Sequence, residues 1–288
     1  MPEVNAAVQT WLAEHASRGC SQVAMVDAMV QLGFDPAIAE PAVRSALLAA
    51  TGRYSEMNFP HGVEAADGQY AYDPAPVAAG NVIRADDRDI HVLMRIERPQ
   101  IIVFGDVLSA GECEELIERA RPKIRRSTTV NPENGKDDVI AARTSQGMFF
   151  DRAQDPFIEG LERRIASLMN CPVENGEGLQ VLNYQVAAEY RPHFDYFPPD
   201  QAGSAVHTAH GGQRVATLVL YLNDVPNGGE TYFPNAGIAV AAKRGSAVYF
   251  RYLNGRRQLD PLSLHGGAPV LEGEKWIMTK WVRERENA

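Results

Sequence analysis

In the segment Tyr190-Arg191-Pro192-His193-Phe194-Asp195-Tyr196-Phe197, His193 and Asp195 stand two positions apart. On a β-strand that spacing sends both side chains to one face, so an imidazole and a carboxylate converge. A lone His-x-Asp pair is weak, because a structural histidine satisfied by hydrogen bonds explains most of them. Ser263-Leu264-His265-Gly266-Gly267 adds a second histidine at an expected turn-to-strand boundary, and Lys275 follows ten positions later on another expected strand. Two histidines and one carboxylate make the facial triad that holds ferrous iron by one side and leaves three positions open for substrate and oxygen. An ammonium fixed beside those positions pairs with the distal carboxylate of a 2-oxo acid that chelates the metal through its keto oxygen and its other carboxylate. Lys275 has that role in the constellation, although alone it reads as a solvated lysine in the Glu272-Gly273-Glu274-Lys275 turn.

These residues need a framework, and the 288-residue chain is long enough to build one, with 45% hydrophobic and 23% charged residues. Val4, Val8, Trp11 and Leu12 fall at helical spacing; Val23, Val26, Met29, Val30 and Leu32 form a second stripe, and Ile38, Val43, Leu47 and Leu48 a third. Gly33-Phe34-Asp35-Pro36 supplies the stop, turn and restart between the last two. The spacing predicts a small three-helix domain over 1–52. Between 53 and 81 the periodicity fades into Gly, Pro, Ala and acidic residues, the composition of an exposed connection. Strands are expected over 91–96 and 100–104. A helix capped by Ser109 follows over 110–121, and another over 156–169. Beyond residue 179 short strands alternate with turns, and Asn227-Gly228-Gly229 reads as a hairpin signal. The expected class is α+β, with helices first and antiparallel sheets folded into a sandwich or jelly roll afterwards.

Composition excludes several classes of function. Twenty-eight Lys and Arg against 37 Asp and Glu leave a net charge of -9, so no broad phosphate-binding surface and no nucleic-acid partner is expected. No segment has the apolar length of a membrane span or the pattern of a leader peptide, and a cytoplasmic location is the expectation. Cys20, Cys113 and Cys171 are widely spaced, which suits neither a disulfide framework nor a thiolate metal site.

His193-Phe194-Asp195, Gly211-Gly212-Gln213-Arg214-Val215-Ala216-Thr217, Gly228-Gly229-Glu230-Thr231 and Leu264-His265-Gly266-Gly267 occur in that order, followed by Gly273-Glu274-Lys275-Trp276 and Lys280-Trp281-Val282. That ordered set resembles the prolyl 4-hydroxylases, over roughly residues 98 to 283. The resemblance implies a double-stranded β-helix oxygenase domain over 82–288. It also implies Fe(II), 2-oxoglutarate and O2 as the reagents that convert peptidyl proline to 4-hydroxyproline with release of succinate and CO2, and ascorbate as reductant. Carried over by position, His193, Asp195 and His265 ligate iron and Lys275 takes the distal carboxylate of 2-oxoglutarate, assisted by Tyr184 and Thr217. Tyr184 lies an odd nine residues before His193, so a bulge or turn must intervene if both face the pocket. Thr217 reads equally as a β-former on a buried strand.

The same resemblance gives Arg143, Tyr190 and Trp281 to a proline-containing peptide substrate. Aromatic rings can cover a proline ring and an arginine can fix peptide carbonyls, while core packing is the plain alternative for Trp281. His207 and His210 offer a His-x-x-His spacing, but without a neighbouring carboxylate or cysteine they read as a solvated pair on a mobile loop. The N-terminal helices are either a module for a protein partner or a cap on the larger domain. Their Leu32-Gly33-Phe34-Asp35-Pro36 turn resembles the ubiquitin-associated domain pattern. The alternatives to a prolyl hydroxylase are a same-fold oxygenase acting on another residue or a small molecule, and a non-catalytic binding or oxygen-sensing module.

Overall fold

The computed structural model describes residues 4–18, 20–51, 70–131 and 133–287. The three N-terminal stripes fold as helices α1 (Ala6–Ser17), α2 (Gln22–Gln31) and α3 (Pro36–Thr51). Asn5 caps α1 by accepting from the Val8 amide at 3.1 Å, and Ser21 caps α2 from Ala24 at 3.3 Å, which satisfies donors left open by helix geometry. Leu12, Met25, Met29, Phe34 and Val43 are buried between the helices, and Ala187 of the larger domain belongs to the same cluster. The bundle is therefore docked on the larger domain, and Arg44 of α3 forms an ion pair with Glu189 beside that contact.

Strands β1 (Val82–Ala85), β2 (Arg88–Ile96) and β3 (Gln100–Gly105) lead into helix α4 (Ala110–Ala120). Ser109 and Glu112 close a reciprocal capping box at its start. The short strands β4 (Arg125–Arg126), β5 (Thr129–Val130) and β6 (Asp137–Asp138) and the longer β7 (Gln146–Phe150) come before helix α5 (Pro156–Met169). Asp155 caps α5, and Asn170 ends it in the left-handed conformation. The remaining chain contributes β8 (Leu179–Tyr184), β9 (Tyr190–His193), the short helix α6 (Ser204–Thr208), β10 (Arg214–Tyr221), β11 (Asn227–Gly228), β12 (Thr231–Phe233), β13 (Ile238–Val240) and β14 (Ala247–Arg251). Strands β15 (His265–Gly267), β16 (Val270–Glu272) and β17 (Lys275–Arg283) complete it.

A nine-stranded sheet in the order β1-β2-β3-β14-β10-β17-β8-β7-β4 faces a four-stranded one in the order β13-β12-β15-β9, the two layers of a double-stranded β-helix. Alternation on the strands builds both cores. On β10, Leu218 and Leu220 pack toward α4 and α5, whereas Val219 and Tyr221 pack between the sheets. Every residue of β17 is buried, so this strand carries two interiors at once. Its even residues Trp276, Met278 and Val282 join the helix-side core, where Lys280 meets Glu162 of α5 at 2.7 Å. No helix among the described residues is long and apolar enough to cross a membrane. None of the three cysteines is paired, and only Cys113 is fully buried.

Three expectations need correction. The connection placed at 53–81 lies outside the described residues up to 69, but Tyr70 to Gly80 is a packed strap. Asp73 pairs with the buried Arg251 at 2.7 Å, Asn254 donates to the Ala71 carbonyl at 2.8 Å, and Val77 enters the helix-side core. A polar composition conceals such packing because its charges are matched by partners remote in sequence. Asn227 and Gly228 do not turn a hairpin; they pair with β16. Gly228 is required there because it has a φ of +75° and a Cβ would stand 2.3 Å from the Pro269 carbonyl oxygen. The 202–212 segment is not a free loop, since α6 lies within it and His207 is docked against Phe197.

Breaking the buried pair on β17 tests the two-interior description. Lys280→Met strands the Glu162 carboxylate, with an expected cost of about 3–5 kcal/mol in the unfolding free energy measured by urea denaturation, and the Lys280→Met/Glu162→Met double variant should recover a large part of it.

Candidate active site

His193 ends β9 and His265 begins β15, and the two occupy directly opposed positions in the antiparallel ladder between these strands. That register brings together two residues far apart in sequence. Asp195 does not share the strand with His193 as expected, since β9 stops at His193 and the chain bends before the carboxylate. The bend still turns Asp195 inward, with one oxygen 3.5 Å from His193 Nε2 and the other 3.5 Å from His265 Nε2. One ligand atom from each of the three residues lies within 4.8 Å of the others. At metal–ligand distances of about 2.1 Å, donors at right angles stand about 3 Å apart, so a small inward shift would complete the set.

The imidazoles are prepared for this role. His193 Nδ1 donates to the Arg191 carbonyl at 2.9 Å and His265 Nδ1 donates to the Ser263 carbonyl at 3.0 Å, the tautomer that leaves each Nε2 lone pair toward Asp195. Burial pushes the His265 imidazole down to about 4, against the pull of Asp195, and this keeps it neutral near pH 7. Burial would raise the Asp195 carboxyl, but His265, His193 and Arg214 hold it well below the usual carboxylate range. Two imidazoles and one carboxylate, with three further positions open, suit ferrous iron.

Thr217 was expected beside a cosubstrate. Its hydroxyl instead donates to Asp195 at 2.7 Å and contacts the Tyr252 hydroxyl at 3.2 Å. The triad opens on a cavity of about 620 Å³ that is also lined by Arg143, Tyr184, Tyr190, Lys275 and Trp281. Lys275 is 2% exposed, and its ammonium sits 5.4 Å from the Tyr184 ring and 5.9 Å from the Tyr221 ring. Among the described residues no carboxylate lies within ion-pair distance of it. Burial pushes the ammonium down to about 8, partly offset by Glu230.

Tyr184 stands directly opposite Lys275 across β8 and β17. The interruption required between Tyr184 and His193 is present. The chain leaves the large sheet after Tyr184, passes Ala187 at a φ of 68°, and enters the small sheet at Tyr190. Tyr190 stacks on the His193 ring with centroids 3.6 Å apart, and the Arg143 guanidinium lies over the same Tyr190 ring, 4.9 Å from its centroid. Arg143 donates to the Thr128 carbonyl at 2.8 Å and to Gln180 at 3.1 Å, so most of its donors serve the wall of the cavity. Burial pushes the Tyr190 phenol up to about 12, which keeps it a neutral donor. Trp281 faces the cavity opposite Thr217.

Sequence reasoning missed Glu177, Phe197, Arg214 and Arg283. Arg214 holds Glu177 through two contacts of 2.7 Å and donates to the Asp195 carbonyl at 3.2 Å. Arg214 and Arg283 also face Phe197 from 4.8 and 4.9 Å. Extending the alternation on β17 from Lys275 through Trp281 would have reached Arg283, whereas nothing local in sequence ties Glu177 to Arg214. His207 also lines the cavity, with its Nε2 2.7 Å from the Gly135 carbonyl, and it takes part in no metal-ligand cluster among the described residues.

The support given to Asp195 can be measured by metal binding. Thr217→Val, which keeps the side-chain shape, is expected to lower Mn(II) affinity by about 10- to 100-fold in anaerobic calorimetry. His265→Ala should remove measurable binding while circular dichroism stays native.

Residues 179–283 match the family described as the 2OG-Fe(II) oxygenase superfamily. The chain is 41% identical over 207 residues to prolyl 4-hydroxylase 5 of Arabidopsis thaliana, spanning 65% of this chain and 69% of that protein. It is 44% identical over 202 residues to prolyl 4-hydroxylase 1 of the same plant, spanning 65% and 70%. Its fold is similar to the crystal structure of the viral collagen prolyl hydroxylase of Paramecium Bursaria Chlorella virus-1 in its 2OG complex, with a TM-score of 0.51 and 28% identity over 64% of this chain and 95% of that one. With the facial triad, the buried lysine and the two-sheet core in place, these similarities show that the chain belongs to the prolyl 4-hydroxylase family of iron(II)- and 2-oxoglutarate-dependent oxygenases.

Proposed function

We propose that this protein hydroxylates peptidyl proline at carbon 4 with O2 and 2-oxoglutarate as cosubstrates, releasing succinate and CO2. The observation that carries the reading is the placement of His193, Asp195, His265 and Lys275 around one cavity, in a chain 41% identical to a prolyl 4-hydroxylase. His193 and His265 would hold iron through Nε2 and Asp195 through a carboxylate oxygen. When bound, ferrous iron supplies the redox chemistry that couples decarboxylation of 2-oxoglutarate to oxygen insertion at a C–H bond.

The chain itself binds, orients and excludes water. The Arg191 and Ser263 carbonyls fix the two imidazoles, and Thr217 fixes the carboxylate between them. We assign Thr217 to positioning Asp195 rather than to cosubstrate contact. Lys275 takes the distal carboxylate of 2-oxoglutarate, with Tyr184 as the adjoining wall. Its burial makes that charge–charge contact stronger than it would be in water. Trp281 presents an aromatic face to the substrate ring and Tyr190, stacked on His193 and braced by Arg143, presents its ring edge and hydroxyl, while Arg143 also faces the peptide. Ascorbate as reductant and a cytoplasmic setting belong to the same reading, the latter supported by three unpaired cysteines. A protein partner for the N-terminal helices is supported by the exposed Val23 and Leu32 on their outer side.

Mass spectrometry of proline-rich peptides incubated with the protein, ferrous iron, ascorbate and 2-oxoglutarate should show one added oxygen on proline, with equimolar succinate. Oxidation confined to another residue would replace the prolyl assignment with a different target of the same oxygenase. Lys275 predicts the pH dependence. Its ammonium is charged below about 8 in the free protein and neutral above, so the anion site weakens as pH rises. The apparent KM for 2-oxoglutarate should therefore climb up to tenfold per pH unit above pH 8, and Lys275→Ala should raise it at every pH with the peptide KM little changed.

A further inference from the structure

The odd residues of β17, from Lys275 through Ile277, Thr279 and Trp281 to Arg283, all line the cavity. At about 3.3 Å per residue the Cα atoms at its ends stand about 26 Å apart, so the two cations enter the cavity from opposite ends of that strand face. Lys275 serves the cosubstrate end, which leaves Arg283 without a role in the reading above.

Arg283 is 6% exposed and yet incompletely paired. Its Nη2 donates to the His207 and His210 carbonyls, but Nη1 has no hydrogen-bond partner among the described residues. Nε lies 3.4 Å from Glu177 Oε1 without hydrogen-bond alignment, because both Glu177 oxygens are already held by Arg214. The neighbouring Glu284 accepts from the Gln213 amide at 2.7 Å and pairs with Arg257. Two guanidiniums therefore share the Glu177 carboxylate at this end of the cavity, and Arg283 keeps open donors where burial makes an incompletely bonded cation costly. The Trp281 indole Nε1, two residues back on the same strand face, is likewise a buried donor without a partner among the described residues. Donors left open in a cavity are matched by an acceptor that arrives with the ligand.

We propose that Arg283, with Trp281 Nε1 beside it, forms a subsite for a carboxylate of the peptide substrate, so that the enzyme prefers prolines with an anionic group nearby. This rests on the prolyl reading and specifies its substrate. Arg283 is one carboxylate removed from Arg214, which itself bonds the Asp195 carbonyl. That chain of contacts spans about 10 Å, or about three residues of extended peptide. The anion therefore belongs within about three residues of the target proline. It is supplied by an acidic side chain or by the peptide's own C-terminus.

The test is a set of proline peptides with Glu or Gln at each of three positions on either side of the proline, with free or amidated C-termini. Binding is measured by calorimetry to the full chain loaded with Mn(II) and 2-oxoglutarate, and oxidation is measured separately with iron. Glu is expected to bind about 10- to 100-fold more tightly than Gln at one position, or a free C-terminus than an amide if the terminal carboxylate is the source. Arg283→Gln should bring that ratio to about one, Arg283→Lys should retain part of it, and Trp281→Phe should reduce it. Equal binding of all the peptides to the unaltered protein overturns the subsite, as does a ratio that survives in Arg283→Gln. The two readings fail separately: absence of proline oxidation rejects the prolyl activity whatever the binding shows, and proline oxidation without a charge preference in binding rejects the subsite alone.

Discussion

The parity of β17 is the constraint on which the rest of the molecule depends. A strand buried on both faces has no solvent side to absorb an error, and a slip of one residue would exchange its two faces. Trp276 and Met278 would then stand in the cavity, and Lys275 and Arg283 would be pressed against α4 and α5. Pairing with β10 on one side and β8 on the other holds the register through long ladders. The same ladders set Trp281 opposite Thr217 and Lys275 opposite Tyr184. Core packing and site geometry are thus two outcomes of one alignment.

Within the cavity, the charged groups are arranged so that each buried ion is answered by a specific partner. Asp195 receives the Thr217 hydroxyl, and Glu177 receives Arg214. Hydrogen bonds to ionised groups in a low-dielectric interior are strong, and an unanswered charge there is correspondingly expensive. Lys275 and Arg283 depart from this rule at opposite ends of one strand face. Both are cations held in place by the fold with part of their bonding capacity unused among the described residues, the feature on which the two proposed anion sites rest.

The N-terminal bundle is tied to the site by a short route. Its core includes Ala187, which lies in the crossing between Tyr184 and Tyr190, and Arg44 pairs with Glu189 at the end of that crossing. The Glu189 carbonyl also accepts from the Thr144 amide at 3.0 Å and its hydroxyl at 3.1 Å, which joins the crossing to the segment bearing Arg143. The bundle thus braces the wall of the cavity from outside. The strap from Tyr70 to Gly80 holds the opposite side of the large sheet through Asp73 and Arg251.

The sequence by itself determined the local patterns and the chemical types. Helical spacing located α1, α2, α3 and α5, Ser109 marked the start of α4, and His193, Asp195, His265 and Lys275 announced a metal and an anion site. These features were legible because periodicity and residue chemistry are written in short stretches of chain. Only the tertiary structure decided that Asp195 reaches the triad from a bend beyond β9, that Thr217 supports that carboxylate, that Asn227 and Gly228 pair with β16, and that Tyr70 to Gly80 is packed. Glu177 and Arg214 likewise meet only when β10 lies beside β17. Each of these depends on which remote segment becomes the neighbour, and that choice is made by the burial and register of whole sheets, where no local pattern carries the information.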